Sequence, residues 1–299
     1  MISRRPVNST VMRPLAIIIV NTLCVFCAAQ SPPVAPSASI VVRVSTDSGD
    51  ATREDIFNVD LSTRKSTSHT SKRIPPGEKP GWAEANIIDR NRNLQTYERI
   101  VERFKGTPNR SNYPDLAEAM RWLDEHTKGA GYEPEDFVVA SPDSQHAVIK
   151  SQFEPLILID VATLKTHRLL DNPGDQTSIV AWSADSRYVA FTSLKSHELS
   201  VYALAQDAIS VVVHNAPWIE ELSWSPNGEL IAAFALMNRR LAKNPLNLIA
   251  VTAGHPLFKN DGVLFVYRFG GGSTDGGLSV PLKRGILEQS TPRARLEWK

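Results

Sequence analysis

The 299-residue sequence contains few residues whose types and spacing could carry out catalysis. Seven histidines could ligate a metal ion, but they are scattered without the spacing that metal sites use. They are His69, His126, His146, His167, His197, His214 and His255. There is no Gly-x-Ser-x-Gly nucleophile elbow, no His-Glu-x-x-His motif and no glycine loop for phosphates or dinucleotides. We therefore predict no catalytic residue, no metal site and no cofactor.

One set of polar residues recurs regularly enough to form a ring of ligands. Asp143, Asp185 and Asn227 are spaced 42 residues apart, and each lies two positions after a serine. Asp and Asn at such positions accept hydrogen bonds from the backbone two residues on, and Gly228 tolerates a positive φ. We interpret the three residues as turn formers, and a ligand role is the alternative.

These turns belong to a tandem repeat with a period of 42 residues. Each copy reads as an apolar strand, a tight turn and a second apolar strand, and the copies begin at Val138, Val180 and Leu222. A fixed period of about 40 residues built from short strands is typical of β-propeller blades. We predict an all-β propeller whose blades occupy residues 137–299, with Trp182 and Trp224 filling space between neighbouring sheets.

A first, partial blade is predicted at residues 40–74. The strand Ile40–Val44 is followed by Asp55–Thr63, which shares with the later segment Leu156–Thr163 the order hydrophobic, Asp, hydrophobic, small, Thr. The strand that should precede them is missing, whereas Ala294–Trp298 resembles it at the other end of the chain. We predict that this tail pairs with Ile40–Val44 and closes the ring, which would remove two exposed sheet edges. About four blades are recognisable, so the ring is either small or incomplete.

Residues 75–136 interrupt the strands with two predicted amphipathic helices. The first has an apolar stripe between Leu94 and Phe104 and ends near Gly106, and the second begins with Pro114 as its first helical residue. The buried side of the second helix should comprise Leu116, Ala119, Met120 and Leu123. We expect this insertion to pack on a sheet of the same chain, and a helix pair that binds a partner is the alternative.

Residues 1–29 have the layout of a signal peptide, followed by a Pro/Ser/Ala linker at residues 30–39. Three arginines precede an apolar run from Leu15 to Ala29, and Cys27-Ala28-Ala29 offers small side chains before cleavage at Gln30. This run is shorter than the roughly 20 residues that a membrane-spanning helix needs. We expect export to the periplasm or the exterior and no membrane span in the mature chain. An uncleaved anchor is the alternative.

Composition excludes several classes of partner and chemistry. Both cysteines, Cys24 and Cys27, lie in the apolar run, so the mature chain has no thiol for a disulfide, a nucleophile or a metal. The chain has 33 Lys and Arg, three of them before residue 30, against 32 Asp and Glu. Without these three arginines the chain has no excess of positive charge that would attract nucleic acid or an anionic membrane. With 42% hydrophobic residues, the chain can form a packed core.

The repeat resembles that of the TolB-type, WD-like propellers, which also occurs in the propeller domains of prolyl-oligopeptidase-like enzymes. The segment Trp224-Ser225-Pro226-Asn227-Gly228 matches the repeat best, and the copies at 182–186 and 140–144 each depart from it at one or two positions. The resemblance covers about 130 residues. It implies an exported envelope protein that binds other proteins through its propeller face.

These observations favour a periplasmic or secreted propeller that acts as a non-catalytic scaffold for a protein partner. The helical insertion and a second insertion at residues 237–261 are the expected contact surfaces, because scaffolds place binding elements in loops. The alternative is a propeller enzyme, a hydrolase or a lyase, with acids and bases on loops at the mouth of the channel. A third hypothesis is a degenerate propeller without an independent role.

Overall fold

The computed structural model describes residues 39–47, 52–75, 78, 83–127, 133–150, 155–170, 179–193, 195–241, 258–270, 277–282, 287–288 and 293–299. All of them belong to one compact unit, Ser31–Lys299. The predicted signal peptide and residues 30–38 of the predicted linker lie outside the described residues. So do residues 242–257 of the predicted second insertion.

The described residues form strands and two α-helices, α1 (Ala83–Gly106) and α2 (Pro114–Thr127). The strands are β1 (Ser39–Asp47), β2 (Thr52–Asp60), β3 (Lys65–Ile74), β4 (Val138–Ala140), β5 (His146–Ile149), β6 (Ile157–Asp160), β7 (Thr166–Arg168), β8 (Val180–Trp182), β9 (Tyr188–Ser193), β10 (Glu198–Ala203), β11 (Ala208–Val213), β12 (Ile219–Trp224), β13 (Leu230–Leu241), β14 (Phe258–Arg268), β15 (Leu278–Leu282), β16 (Leu287–Glu288) and β17 (Arg293–Trp298).

These strands form four antiparallel sheets, which we name A to D. Sheet A has the order β17-β1-β2-β3, sheet B is β4-β5-β6-β7, sheet C is β8-β9-β10-β11, and sheet D is β12-β13-β14-β15 with β16 paired to β14. We call β4, β8, β12 and β17 the inner strands, because each begins one sheet and carries the first strand of the repeat. Strand β12 contacts both β8 and β17. The described part of the chain is therefore mostly β, with four sheets that pack in the order B, C, D, A.

The sheets pack on one another because their strands are apolar on both faces. Side chains of β13 alternate between two neighbouring sheets. Those of Ile231 and Ala233 pack against sheet C, and those of Ala232 and Phe234 pack against sheet A. A similar core joins sheets B and C through Val148 and its neighbours. Successive side chains of a strand point to opposite faces, so one apolar strand serves two interfaces.

The helix pair covers the face of sheet B that points away from sheet C. Ile100 of α1 and Leu116, Ala119 and Leu123 of α2 are buried against strands of this sheet, and Met120 packs against the same cluster. The prediction that the insertion packs within its own chain is confirmed. Helix α1 also contacts the far end of the series, because Asp89 forms an ion pair with Arg295 of β17 at 3.4 Å.

The C-terminal strand β17 pairs with β1, as the sequence predicts. The antiparallel register places Ile40 opposite Trp298 and Val44 opposite Ala294. Leu296 lies in the middle of β17 and belongs to the core between sheets A and D. The last residues of the chain thus supply the inner strand of the first sheet.

Several boundaries differ from the sequence prediction. Strand β2 begins at Thr52, three residues before the start of the predicted segment Asp55–Thr63. Strand β3 is not marked by any alternation in the sequence, because nine of its ten residues are polar and exposed. Helix α1 starts at Ala83, well before the predicted stripe. No helix among the described residues is both long and apolar enough to cross a membrane.

Replacement of Leu296 tests the contribution of the C-terminal strand. Leu296 is 4% exposed, so Leu296→Ala should lower the free energy of unfolding by about 2–5 kcal/mol through lost burial and an internal cavity. The matched control is Glu297→Ala on the same strand, which removes a partly exposed ion pair with Arg43 and should cost less than about 1 kcal/mol. Chemical denaturation measures both values. Equal losses in the two variants would contradict the packing role of this strand.

Candidate functional site

A hydrogen bond from a tryptophan side chain joins consecutive inner strands. The indole N–H of Trp182 donates to the carbonyl of Val139 at 3.0 Å, and that of Trp224 donates to the carbonyl of Ala181 at 3.0 Å. Donor and acceptor occupy the same repeat positions in both cases. The buried indole N–H of Trp298, at the next equivalent position, has no hydrogen-bond partner. This repeated hydrogen bond therefore joins sheet B to sheet C and sheet C to sheet D. It has no counterpart between sheets D and A.

The three repeated polar residues at 143, 185 and 227 form turns. A side-chain oxygen of each accepts a hydrogen bond from the backbone N–H two residues on, at 3.0, 3.1 and 3.2 Å. Serine hydroxyls donate to the same oxygens. Gly228 adopts the expected positive φ of 71°, and the equivalent Ser144 and Ser186 adopt 57° and 62°. The interpretation of the three residues as turn formers is confirmed.

The opposite end of the inner strands carries ionisable residues that the sequence analysis did not single out. Glu221 and Arg295 hold the same position in the repeat, one residue before the apolar part of β12 and of β17. Lys150 follows β5 at this end, where its backbone N–H donates to the carbonyl of Phe137, the equivalent residue of sheet B. Asp89 of α1 also lies at this end, because it forms an ion pair with Arg295.

Protein atoms surround Glu221 and Lys150 densely enough to change their protonation. Burial raises the pKa of Glu221 from 4.5 to about 7, although the charges of Arg295 and Lys150 act to lower it. Burial lowers the pKa of Lys150, although the carboxylates of Glu221 and Asp136 act to raise it. The charge of each of these two side chains thus acts on the pKa of the other.

The other charges at this end are held in ion pairs. Asp89 lies 2.7 Å from Arg92 as well as 3.4 Å from Arg295, and the Nε atom of Arg92 is buried without a hydrogen-bond partner. Asn93, on the next turn of the same helix, accepts a hydrogen bond from the backbone N–H of Ala140 at 2.9 Å. Helix α1 is thereby fixed against β4 on one side and β17 on the other.

Large apolar side chains are exposed at the same end of the strands. Trp218 directly precedes β12 and is 55% exposed, and Ile87 and Ile88 beside Asp89 are 45% and 67% exposed. The fourth large apolar side chain exposed in the described part of the chain is Ile209 on β11, in the outer strand of sheet C. We use the name axial face for a set of residues on or beside β5, β12, β17 and the first part of α1, namely Ile87, Ile88, Asp89, Lys150, Trp218, Glu221 and Arg295.

Two of the histidines lie at a cavity of about 310 Å³ between sheets B and C. His167 contacts the Asp207 carboxylate at 3.2 Å, and the hydroxyl of Tyr202 donates to the same carboxylate at 2.6 Å. This hydrogen bond lowers the pKa of Asp207, and burial followed by the same bond raises the pKa of Tyr202. The second histidine, His146, lies 3.8 Å from Asp160. Of these contacts, that between His167 of sheet B and Asp207 of sheet C joins the two sheets.

The described residues include no group of three or more His, Cys, Asp or Glu side chains placed to hold a metal ion. Of the predicted second insertion, residues 237–241 and 258–261 continue β13 and β14 as a long hairpin in which Leu241 pairs with Phe258. This extension explains why the third strand of sheet D comes late in the sequence. A contact role for the insertion stays a prediction.

No protein-family model matches the chain, and no curated protein matches it. Solved structures that match include TolB from Acinetobacter baumannii, at 12% identity and a TM-score of 0.31, covering 81% of this chain and 41% of TolB. An oligogalacturonate lyase from Vibrio parahaemolyticus matches at 12% identity and a TM-score of 0.31, covering 42% and 35% of the two chains. An acylaminoacyl peptidase from Pyrococcus horikoshii matches at 11% identity and a TM-score of 0.34, and the match covers 46% of this chain and 23% of the peptidase.

The matched part of this chain spans less than two thirds of each of these three proteins. At these identities and TM-scores we transfer neither an activity nor a partner from any of the three.

Replacement of Trp224 tests the bond between inner strands. Trp224→Phe removes the indole N–H and part of a buried ring, and should cost roughly 2–4 kcal/mol of unfolding free energy. Trp218→Phe makes the same chemical change at an exposed ring and should stay within about 0.5 kcal/mol of the parent. Urea denaturation measures both variants. Indistinguishable midpoints would show that the bond contributes nothing.

The raised pKa of Glu221 predicts a pH dependence of stability. The folded chain holds this proton more tightly than the unfolded chain, so the free energy of unfolding should fall as the pH rises from about 5 to about 7. Glu221→Gln cannot ionise and should flatten this slope. Glu229→Gln changes an exposed turn residue in the same way and should leave the slope unchanged. If the free energy of unfolding of Glu221→Gln fell with pH as steeply as that of the parent, a group other than Glu221 would be responsible.

Proposed function

We propose that this chain is an exported scaffold that binds a protein partner through the axial face and carries out no reaction of its own. One observation supports the proposal most strongly. Of the four large apolar side chains exposed in the described part of the chain, Trp218 directly precedes the inner strand β12, and Ile87 and Ile88 precede Asp89, which pairs with Arg295 of the inner strand β17. Exposed apolar side chains that group together mark interaction surfaces, whereas isolated ones are ordinary.

The composition of the axial face is that of a protein interface. Tryptophan is the residue that most often dominates binding energy in such interfaces, and Trp218 presents more than half of its surface to solvent. Asp89 and Arg295 are already paired and partly buried, so they offer a fixed charge pattern instead of mobile charges. A fixed pattern favours one partner over others at little entropic cost.

The same proposal interprets sheets A to D as blades of an incomplete propeller. Helix α1 contacts β4 of sheet B and β17 of sheet A, and it takes the place that a further blade would occupy. Export is proposed from the arginines and the apolar run before Gln30. The periplasm or the exterior is then where the partner is expected.

Site-specific photo-crosslinking tests the axial face. A photoreactive phenylalanine analogue is placed at residue 218 in one variant and at residue 209 in another, since both positions are exposed and apolar. Illumination in cells, followed by recovery of the chain, should give a discrete protein adduct from position 218. Position 209 should give none.

A binding measurement then follows with the captured partner. Trp218→Ala should weaken the affinity by at least about tenfold, and Ile209→Ala should leave it within about twofold. Adducts of equal yield from both positions, or no adduct from position 218 with folded protein, would contradict the proposal.

A second candidate function is an enzyme whose acid and base lie on the axial face. It is favoured by the raised pKa of Glu221 and the lowered pKa of Lys150, because groups with shifted pKa values are concentrated at catalytic sites. Hydrolysis or elimination assays on soluble peptides and uronate glycans test this candidate. An activity that is present in the parent and lost in both Glu221→Gln and Lys150→Met would displace the scaffold proposal.

A further inference from the structure

Strand β3 is the outer strand of sheet A, and one of its two edges is open. In the described part of the chain β3 pairs with β2 and with no other strand, and nine of its ten residues are exposed. Every second residue of an outer strand directs its N–H and C=O groups away from the sheet, where another strand can pair with them. At about 3.4 Å per residue, this edge is roughly 30 Å long.

The other three outer strands have features that hinder the addition of a strand. Strand β7 spans only three residues, and β15 contains Pro281, which has no backbone N–H. The pairing of β11 with β10 shifts register between Leu199 and Ser200. Strand β3 contains no proline, and its register with β2 is regular from Ser68 to Ile74. Of these four outer strands, β3 is therefore the best suited to accept a further strand.

The charged residues of β3 restrict which strand can be added. They are Lys65, Lys72 and Arg73, and β3 contains no acidic residue. Like charges on neighbouring strands destabilise a sheet, so two copies of β3 would pair poorly with each other. An acidic strand would be attracted to the same edge. The charges thus disfavour a second copy of the chain and favour an acidic partner.

The register of sheet A shows where an acidic residue of the partner is needed. Lys72 is opposite Glu54, and its Nζ atom lies 2.9 Å from that carboxylate. Arg73 is instead opposite Arg53, and like charges that are directly opposite are unfavourable. Arg53 contacts Asp55 of its own strand at 3.3 Å. A carboxylate opposite Arg73 on an added strand would compensate for the charge of Arg73.

We propose that β3 accepts an extended acidic segment of a partner protein as a fifth strand of sheet A. Backbone hydrogen bonds along the open edge hold the segment, and a carboxylate opposite Arg73 contributes to its selection. Strand β3 includes none of the residues of the axial face, so this proposal does not depend on the scaffold function.

A labelled synthetic peptide of five Thr-Glu repeats tests the proposal. In fluorescence anisotropy it should bind the purified chain at one site, and a peptide of five Thr-Lys repeats should bind at least about tenfold more weakly. Hydrogen exchange distinguishes an added strand from attraction between charges alone. The Thr-Glu peptide should slow the exchange of amides within residues 65–74 by at least about tenfold and leave that of residues 208–213 in β11 unchanged.

Variants locate the site. Arg73→Gln should weaken binding of the Thr-Glu peptide by about fivefold, whereas Arg121→Gln makes the same change on α2 and should have no effect. Arg73→Glu should lower the ratio of the two peptide affinities by at least about tenfold, because it reverses the charge at this position. Both variants at residue 73 should unfold at no lower temperature than the parent, since they remove the like charge opposite Arg53.

Three results would overturn the proposal. They are equal affinities of the Thr-Glu and Thr-Lys peptides, unchanged exchange of residues 65–74 in the bound chain, and unchanged binding in both variants at residue 73. Exchange of residues 65–74 that slows with chain concentration in the absence of peptide would assign the edge to a second copy instead. Trp218→Ala should bind the Thr-Glu peptide like the parent, so a failure of the scaffold function and a failure of this edge are distinguishable.

Discussion

The hydrogen bond from one tryptophan indole to the inner strand of the preceding sheet sets the relative positions of sheets B, C and D. Trp182 and Trp224 donate to equivalent carbonyls of Val139 and Ala181 at the same distance of 3.0 Å. A buried indole N–H without a partner is costly, so the bond fixes how far one inner strand can slide past the next. Trp298 lacks such a bond, and sheet A is held instead by its apolar core with sheet D and by the pairing of β17 with β1.

The parts of the fold that repeat were predictable from the sequence. The serine, the polar turn residue and the two flanking apolar strands recur every 42 residues, and the structure has a turn at each copy. The pairing of β17 with β1 was predictable because Ala294–Trp298 matches the strand that residues 40–74 lack. The faces of both helices follow from their apolar stripes. Each of these features is marked by a short sequence pattern, and some of the patterns recur along the chain.

The axial face was not predictable, because no local pattern marks it. Glu221 and Arg295 share a repeat position, but that position is Phe137 and Ile179 in the other copies, so the repeat carries no ionisable signature. The charge state of Lys150 depends on burial and on residues far away in the chain. Strand β3 was missed for a related reason: its polar residues form an outer edge, where charge and hydroxyl groups protect against unwanted pairing.

Exchange of the indole protons with deuterium measures the central claim most directly. The chain has six tryptophans, so a ¹⁵N-tryptophan-labelled sample gives one indole N–H signal for each, and single substitutions assign them. The account predicts slow exchange for Trp182 and Trp224, which are bonded between sheets, and fast exchange for the exposed Trp218. Exchange of Trp182 and Trp224 as fast as that of Trp218, in a folded sample, would contradict the arrangement of the inner strands described above.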